Sequence, residues 1–206
     1  MVKDDTCLLD IIEEFVRSDA HRVVVLNKDQ RFVGVISQST IAALIVGKFG
    51  LRKENSQVRW ETGQKTVKEA GVISTKVVSL APTAIVMEAL FTMQSENVSS
   101  VAIMSGKTLV GSISLHDVKH ILAERNGWQA VFQSCDEFFK RIRLAQSNER
   151  KGEAMAPNFT IRPSCSVVTA MEKMVATRSH RIWVVDEEDN CIGLVSLSSL
   201  MKLALN

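Results

Sequence analysis

One pattern is written three times along this chain, and that repetition restricts the fold more than any other feature. Each copy has a short apolar run, a polar turn, a second apolar run carrying a glycine, and a Ser-led helix start. The glycines are Gly34, Gly111 and Gly193. Three residues on come Ser37, Ser114 and Ser196, and six on come Thr40, Asp117 and Ser199. Thirteen residues back lie His21, Val98 and His180, and each histidine is followed by an arginine, Arg22 or Arg181.

The first copy sets the elements. Leu8, Leu9, Ile12, Phe15 and Val16 recur at helical spacing, with Asp10, Glu13, Glu14 and Arg17 on the other side. His21 to Leu26 is a β-branched run too short for a buried helix and suited to a central strand. A polar turn at Asn27 to Gln30 leads into a second strand, Arg31 to Ser37, and so short a turn makes an antiparallel hairpin. A helix from Thr40 to Val46 closes the unit. Leu8, Leu9, Ile12 and Val16 correspond to Ile85, Val86, Ala89 and Met93, and then to Val167, Val168, Met171 and Val175. In the last helix Ile41, Leu44 and Ile45 correspond to Val118, Ile121 and Leu122, and to Leu200, Leu203 and Ala204. Every matched position is apolar, which establishes a repeat of roughly 80 residues including linkers.

The spacing divides the chain into modules at 1–50, 66–123 and 159–206, joined by a polar linker at 51–65 and a longer one at 124–158. Trp60, near the end of the first linker, is read as packing on its own domain, with an external contact point as the alternative. In the second linker Val131, Phe132, Cys135, Phe138, Phe139 and Ile142 make an amphipathic helix, read as a cap on the core of the adjacent unit in preference to a partner-binding face. Short lead-in strands are expected at Lys76 to Leu80 and Phe159 to Ile161.

Composition removes several function classes. A net charge of +2 gives no general case for nucleic acid or membrane binding, and 5% aromatics with no tyrosine argue against base-stacking platforms. The four cysteines are far apart without a C-x-x-C pair, as in a reduced protein rather than a disulfide or zinc framework. No signal peptide opens the sequence and no apolar run has bilayer-spanning length, so a cytoplasmic, or also nuclear, location is expected. Phosphate-loop, dinucleotide-fold, zinc-protease and nucleophile-elbow motifs are absent, so catalysis is not expected. His116 and His120 have a metal-like spacing but no third ligand.

Two sets of residues could carry chemistry, each with a plainer reading beside it. Ser114-x-x-Asp117 is a capping box by spacing, and Ser37 and Ser196 cap without an acid. Asp117 is the one acid among the three equivalent positions, and a carboxylate at a helix start can accept both hydroxyls of a ribose. His21-Arg22 and His180-Arg181 sit where helix gives way to strand. They suit an anion such as phosphate, or they are ordinary surface and edge residues.

On these residues the units resemble cystathionine β-synthase (CBS) domains, small modules that bind adenine nucleotides or related ligands in pairs. The order helix, strand, strand, helix carries the likeness, as does Gly-x-[Ile/Val]-Ser-x-x-Asp before the last helix. The segments His180 to Asp186 with Gly193 to Ser198, and His21 to Val25, resemble the gamma regulatory subunits of AMP-activated protein kinase, yeast-type relatives included. The three modules look like modules two to four of that family.

The resemblance implies an α+β fold of three CBS modules, the second and third paired as a Bateman-type module. It implies a non-catalytic regulatory subunit sensing AMP, ADP or ATP, none of them a tightly held cofactor. The nucleotide-binding residues would be Asp117 with Ser114 for ribose, His21, Arg22, His180 and Arg181 for phosphate, and Ser196 in support. The implied partners are the catalytic and scaffold subunits of a heterotrimeric serine/threonine kinase. The competing reading is a structural CBS subunit that has lost nucleotide binding. Ser199 and Ser99-Ser100 depart from the family pattern and support fewer sites than the family has. The first module is expected to expose an apolar sheet face, covered by a further N-terminal module or by a second copy in a homodimer.

Overall fold

The computed structural model describes residues 1–49, 60–118, 127–149 and 160–205. Each repeat folds as a three-stranded sheet with flanking helices, in an α+β arrangement. In the first, β1 (Val2–Lys3) runs parallel to β2 (Arg22–Leu26), which pairs antiparallel with β3 (Phe32–Ser37). Helix α1 (Leu8–Ser18) lies between β1 and β2 in the chain, and α2 (Gln38–Phe49) follows β3. A short helix, α3 (Glu61–Gln64), precedes the second copy: β4 (Ser79–Leu80), α4 (Val86–Ser95), β5 (Ser100–Ser105) and β6 (Thr108–Ser114). Then come α5 (Cys135–Glu149) and the third copy: β7 (Thr160–Ile161), α6 (Val167–Thr177), β8 (Arg181–Val185), β9 (Cys191–Ser196) and α7 (Leu197–Leu203). The two-residue strand β1 has no period from which sequence could have named it.

The hairpins share a register with one difference. Val25 pairs with Gly34 and Ile103 with Gly111, and each ladder is interrupted immediately afterwards. The second hairpin has one residue fewer, so Arg22 opposite Ser37 matches Ser100 opposite Ser114. Counting thirteen residues back from Gly111 lands on Val98, but the structural counterpart of His21 is Ser99. The linking hydrogen bonds agree: Gln38, Leu115 and Leu197 donate their N–H to the carbonyls of His21, Ser99 and His180 at 3.1, 3.0 and 2.9 Å.

The chain forms two compact units. The first contains Met1–Ser74, Thr160–Val184 and Gly193–Asn206, so it joins the first repeat to most of the third. Helices α1 and α2 pack against α6 and α7. Ile12, Phe15, Ile41, Met171, Met174, Leu200 and Met201 are all buried in this unit. The spacing gives the first repeat no partner inside the chain, yet its helices have one in the third repeat. An apolar helix stripe states that a face will be buried but not against which element.

Gln38 marks this junction. It is the one buried polar side chain among the described residues, donating from Nε2 to the Ala20 carbonyl at 3.0 Å and accepting from Ser198 Oγ at 3.1 Å. Gln38→Ala should cost about 1–3 kcal/mol, because it strands two half-buried partners. Urea unfolding checks this, and an unchanged midpoint would show that the bridge contributes nothing.

Residues 65–74, which the spacing assigned largely to the head of the second module, hydrogen-bond to the third repeat. Val67 N–H donates to Cys165 O at 2.8 Å, Val167 N–H to Lys65 O at 2.9 Å, and Ser74 and Leu194 exchange bonds at 2.8 and 2.9 Å. Trp60 lies against Gly63, whose missing Cβ gives the indole its place.

The second unit contains Thr75–Phe159 and Val185–Ile192. Its core joins α4, β5, β6 and α5 through Val86, Met93, Val101, Ile103, Ile113, Cys135, Phe138 and Ile142. Burial pushes the Cys135 thiol up to about 11. Here the tip of the third hairpin meets the second: Cys191 N–H donates to Lys107 O at 2.9 Å, and Thr108 bridges Asn190.

Two apolar expectations are corrected. Phe132 is not on the amphipathic helix; it lies on a 3₁₀ segment (Gly127–Phe132), is 58% exposed, and meets Trp128 edge-on. Leu8 and Leu9 are exposed on the first turn of α1, and Leu44 on α2. The sheet of the first repeat exposes an apolar face, as expected: Phe32, Val33 and Val35 are 67, 56 and 53% exposed, whereas Leu109 in the place of Phe32 is buried.

Candidate functional site

The three helix starts are built alike. Thr40 N–H donates to Ser37 Oγ at 3.2 Å, and Ser199 N–H to Ser196 Oγ at 3.1 Å. In the second copy Asp117 Oδ2 accepts from both Ser114 N–H, at 2.8 Å, and Ser114 Oγ, at 2.7 Å. The serines therefore cap in all three copies, and Asp117 takes part in a capping box. The helix expected beyond it, with His120, Ile121 and Leu122, lies outside the described residues.

Asp117 has a neighbour that sequence reasoning missed. Arg143 on α5 lies over the Phe139 ring, 4.9 Å from its centroid, and Phe139 lies over Gly111. A Cβ on Gly111 would come within 2.9 Å of that ring. Burial lowers the pKa of Arg143, and the negative charge of Asp117 acts against that lowering. The i, i+4 spacing of Phe139 and Arg143 was legible; which repeat position they cover was not.

In the first unit a pocket of about 340 Å³ opens between helices of the first and third repeats. Ser39 and Thr40 from the first turn of α2 line it, with Arg178 and His180 from the corner between α6 and β8. Met174, Val175 and Leu197 give it an apolar wall. His180 Nε2 is 3.0 Å from Ser39 Oγ, tying one repeat to the other. The pocket surface is mostly apolar, and the polar lining residues are basic or hydroxyl-bearing with no carboxylate among them, so an anion would meet no like charge there.

Of the basic residues singled out by sequence, His180 lines this pocket. His21 and Arg22 are exposed at the start of β2 and do not line it. Arg181 is half-buried, which lowers its pKa, and its carbonyl accepts from the Ser179 hydroxyl. Ser196 is occupied as the cap of α7. Ser114 and Asp117 belong to the second unit and the basic pairs to the first. Among the described residues no group of His, Cys, Asp and Glu could hold a metal ion, and no helix is long and apolar enough to cross a membrane. The four cysteines are free thiols.

Three copies of one sheet-and-helix module, with polar groups gathered where a strand begins and a helix starts, define a tandem-module protein. The chain belongs to the CBS-domain family, whose model matches residues 2–47, 67–124 and 152–206. It is 30% identical over 192 residues to protein sds23 of Aspergillus clavatus, covering 87% of this chain and 34% of that one. It spans between 31% and 40% of the length of such curated relatives.

Among solved structures it is similar to protein MJ1225 of Methanocaldococcus jannaschii, proposed as an archaeal homologue of g-AMPK. The TM-score is 0.73 at 15% identity, covering 98% of this chain and 66% of that one. The CBS domain pair of protein MJ0100 matches with a TM-score of 0.51 at 18% identity, over 68% of this chain and 95% of that one. At these identities the structural likeness speaks for the fold. The curated relatives are SDS23 proteins, where the sequence had pointed to kinase gamma subunits.

Proposed function

We propose that this CBS-domain protein is a non-catalytic regulatory module that binds an adenine nucleotide, with His180 and its pocket taking the phosphate. The observation that carries the reading is the pocket itself: two repeats bring hydroxyls and basic groups together around an apolar wall. The MJ0100 domain pair was solved with 5-methylthioadenosine and S-adenosyl-L-methionine, which supports an adenosine-containing ligand for the fold. Asp117 is assigned the ribose hydroxyls of a nucleotide at the second repeat. Regulation of a serine/threonine kinase through its catalytic and scaffold subunits is the finer proposal, in line with the g-AMPK homology suggested for MJ1225. The exposed sheet of the first repeat is assigned to pairing with another CBS module.

One observation favours the competing reading of a structural subunit. Ser114, Asp117 and Ser196 all have local capping work that needs no ligand. Titration of AMP, ADP and ATP against the purified chain by calorimetry decides between the two, and absence of binding by all three overturns the nucleotide proposal.

Asp117→Ser is the sharper variant, because Ser199 already closes a capping box at the equivalent place. It should leave stability within about 0.5 kcal/mol and weaken nucleotide binding about tenfold. Equal affinity in this variant would remove Asp117 from the site.

A further inference from the structure

The corner between the first helix and the following strand is left-handed in all three repeats. Asp19 has φ 51°, Asn97 φ 51° and Arg178 φ 53°. Asp and Asn are the non-glycine residues that adopt this region most readily, and arginine is not among them. The corner is closed the same way in the second and third repeats: Asn97 N–H bonds Gln94 O at 3.3 Å, and Arg178 N–H bonds Val175 O at 3.2 Å. A basic side chain suits the C-terminal dipole of α6, but neither sister repeat has one at this corner. The third repeat therefore holds an unfavourable residue where its sisters hold favourable ones, and that residue lines the pocket with Ser39, Thr40 and His180.

We infer that Arg178 is an anion-binding residue of this pocket, selecting phosphorylated nucleotides over the bare nucleoside at the expense of local stability. The inference rests on the nucleotide reading above and adds to it a residue and a selectivity. Arg178 is exposed, sits two residues before His180, and projects from the opposite repeat to Ser39 and Thr40. A guanidinium there supplies a fork of donors to phosphate oxygens, beside an imidazole and two hydroxyls. His180 is already engaged with Ser39 at 3.0 Å, which holds the imidazole in place beside the pocket. Backbone strain kept at a ligand site is the expected form of such a compromise.

The test is Arg178→Asn, which installs the residue of the second repeat and suits the left-handed corner. Its melting temperature should rise by about 2 °C or more. Its affinity for AMP and for ADP, by calorimetry, should fall about tenfold or more, while any affinity for adenosine stays unchanged. A variant that binds AMP and adenosine as the parent does overturns the inference and leaves the nucleotide reading standing. A parent chain that binds no adenine nucleotide and no inorganic pyrophosphate overturns both. Arg178→Lys separates charge from geometry: it should recover part of the AMP affinity, and failure to recover any, together with an equal loss of adenosine binding, would show a packing role instead.

Discussion

Gly193→Ala is expected to destabilise the protein by about 2–4 kcal/mol, whereas the same change at Gly34 should be neutral or stabilise it by up to about 1 kcal/mol. The repeat places these glycines identically, so sequence assigns them one role. The structure separates them by what lies over each. A Cβ on Gly193 would come within 2.6 Å of the Ser74 carbonyl oxygen and 2.7 Å of the Ile73 side chain. That carbonyl is in a reciprocal pair with Leu194 at 2.8 and 2.9 Å, so the new atom can be accommodated only by disrupting two backbone hydrogen bonds. Over Gly34 there is nothing within 4 Å. Gly111 falls between, because its neighbour is the Phe139 ring, a side chain with some freedom to shift; about 1–3 kcal/mol is expected there. Urea denaturation of the three alanine variants checks the order Gly193, Gly111, Gly34. A Gly34→Ala protein as damaged as Gly193→Ala would mean that the first repeat's sheet is covered as the third is.

The second large effect is expected at Phe138. Its side chain is fully buried in the second unit, in the cluster that includes Val86, Met93, Ile103 and Ile113. The Arg141 guanidinium lies over its ring, 5.4 Å from the centroid. Phe138→Ala should cost about 3–5 kcal/mol, from lost burial and the cavity left behind. Phe138→Leu keeps most of the volume and should cost under about 2 kcal/mol. If the alanine variant unfolds at the parent's denaturant midpoint, α5 is not part of this core. That outcome would reverse the assignment of the linker helix as a cap and make it a free surface.

The two predictions probe different degrees of legibility. Cys135, Phe138, Phe139 and Ile142 announced a buried helical face by spacing alone, and the face is buried. Phe132 was counted in that stripe, but the chain is not α-helical there and its ring is exposed. Leu9 matched the buried Val86 and Val168, and Leu8 the half-buried Ile85 and buried Val167, yet both leucines are exposed. Periodicity reports which face an element offers; burial needs something to arrive on that face. The site followed the same logic. His180 was found because it recurs as a His-Arg pair. Arg178 has no counterpart in type at Asp19 or Asn97, and its significance depends on a backbone angle that sequence does not state.

By itself, then, the sequence determined the module: three hairpins with a shared glycine register, a Ser cap after each, and apolar helix faces. These are local consequences of β-branching, turn residues and helical spacing, so they are present wherever the pattern is written. Tertiary structure decided which repeats share a core and what covers each glycine. It also decided which polar groups face a common pocket. Those outcomes depend on contacts between residues far apart in the chain: Ser39 and His180 meet because α2 packs on α6. Equivalent strands became a sealed edge at Gly193 and an open one at Gly34 for the same reason.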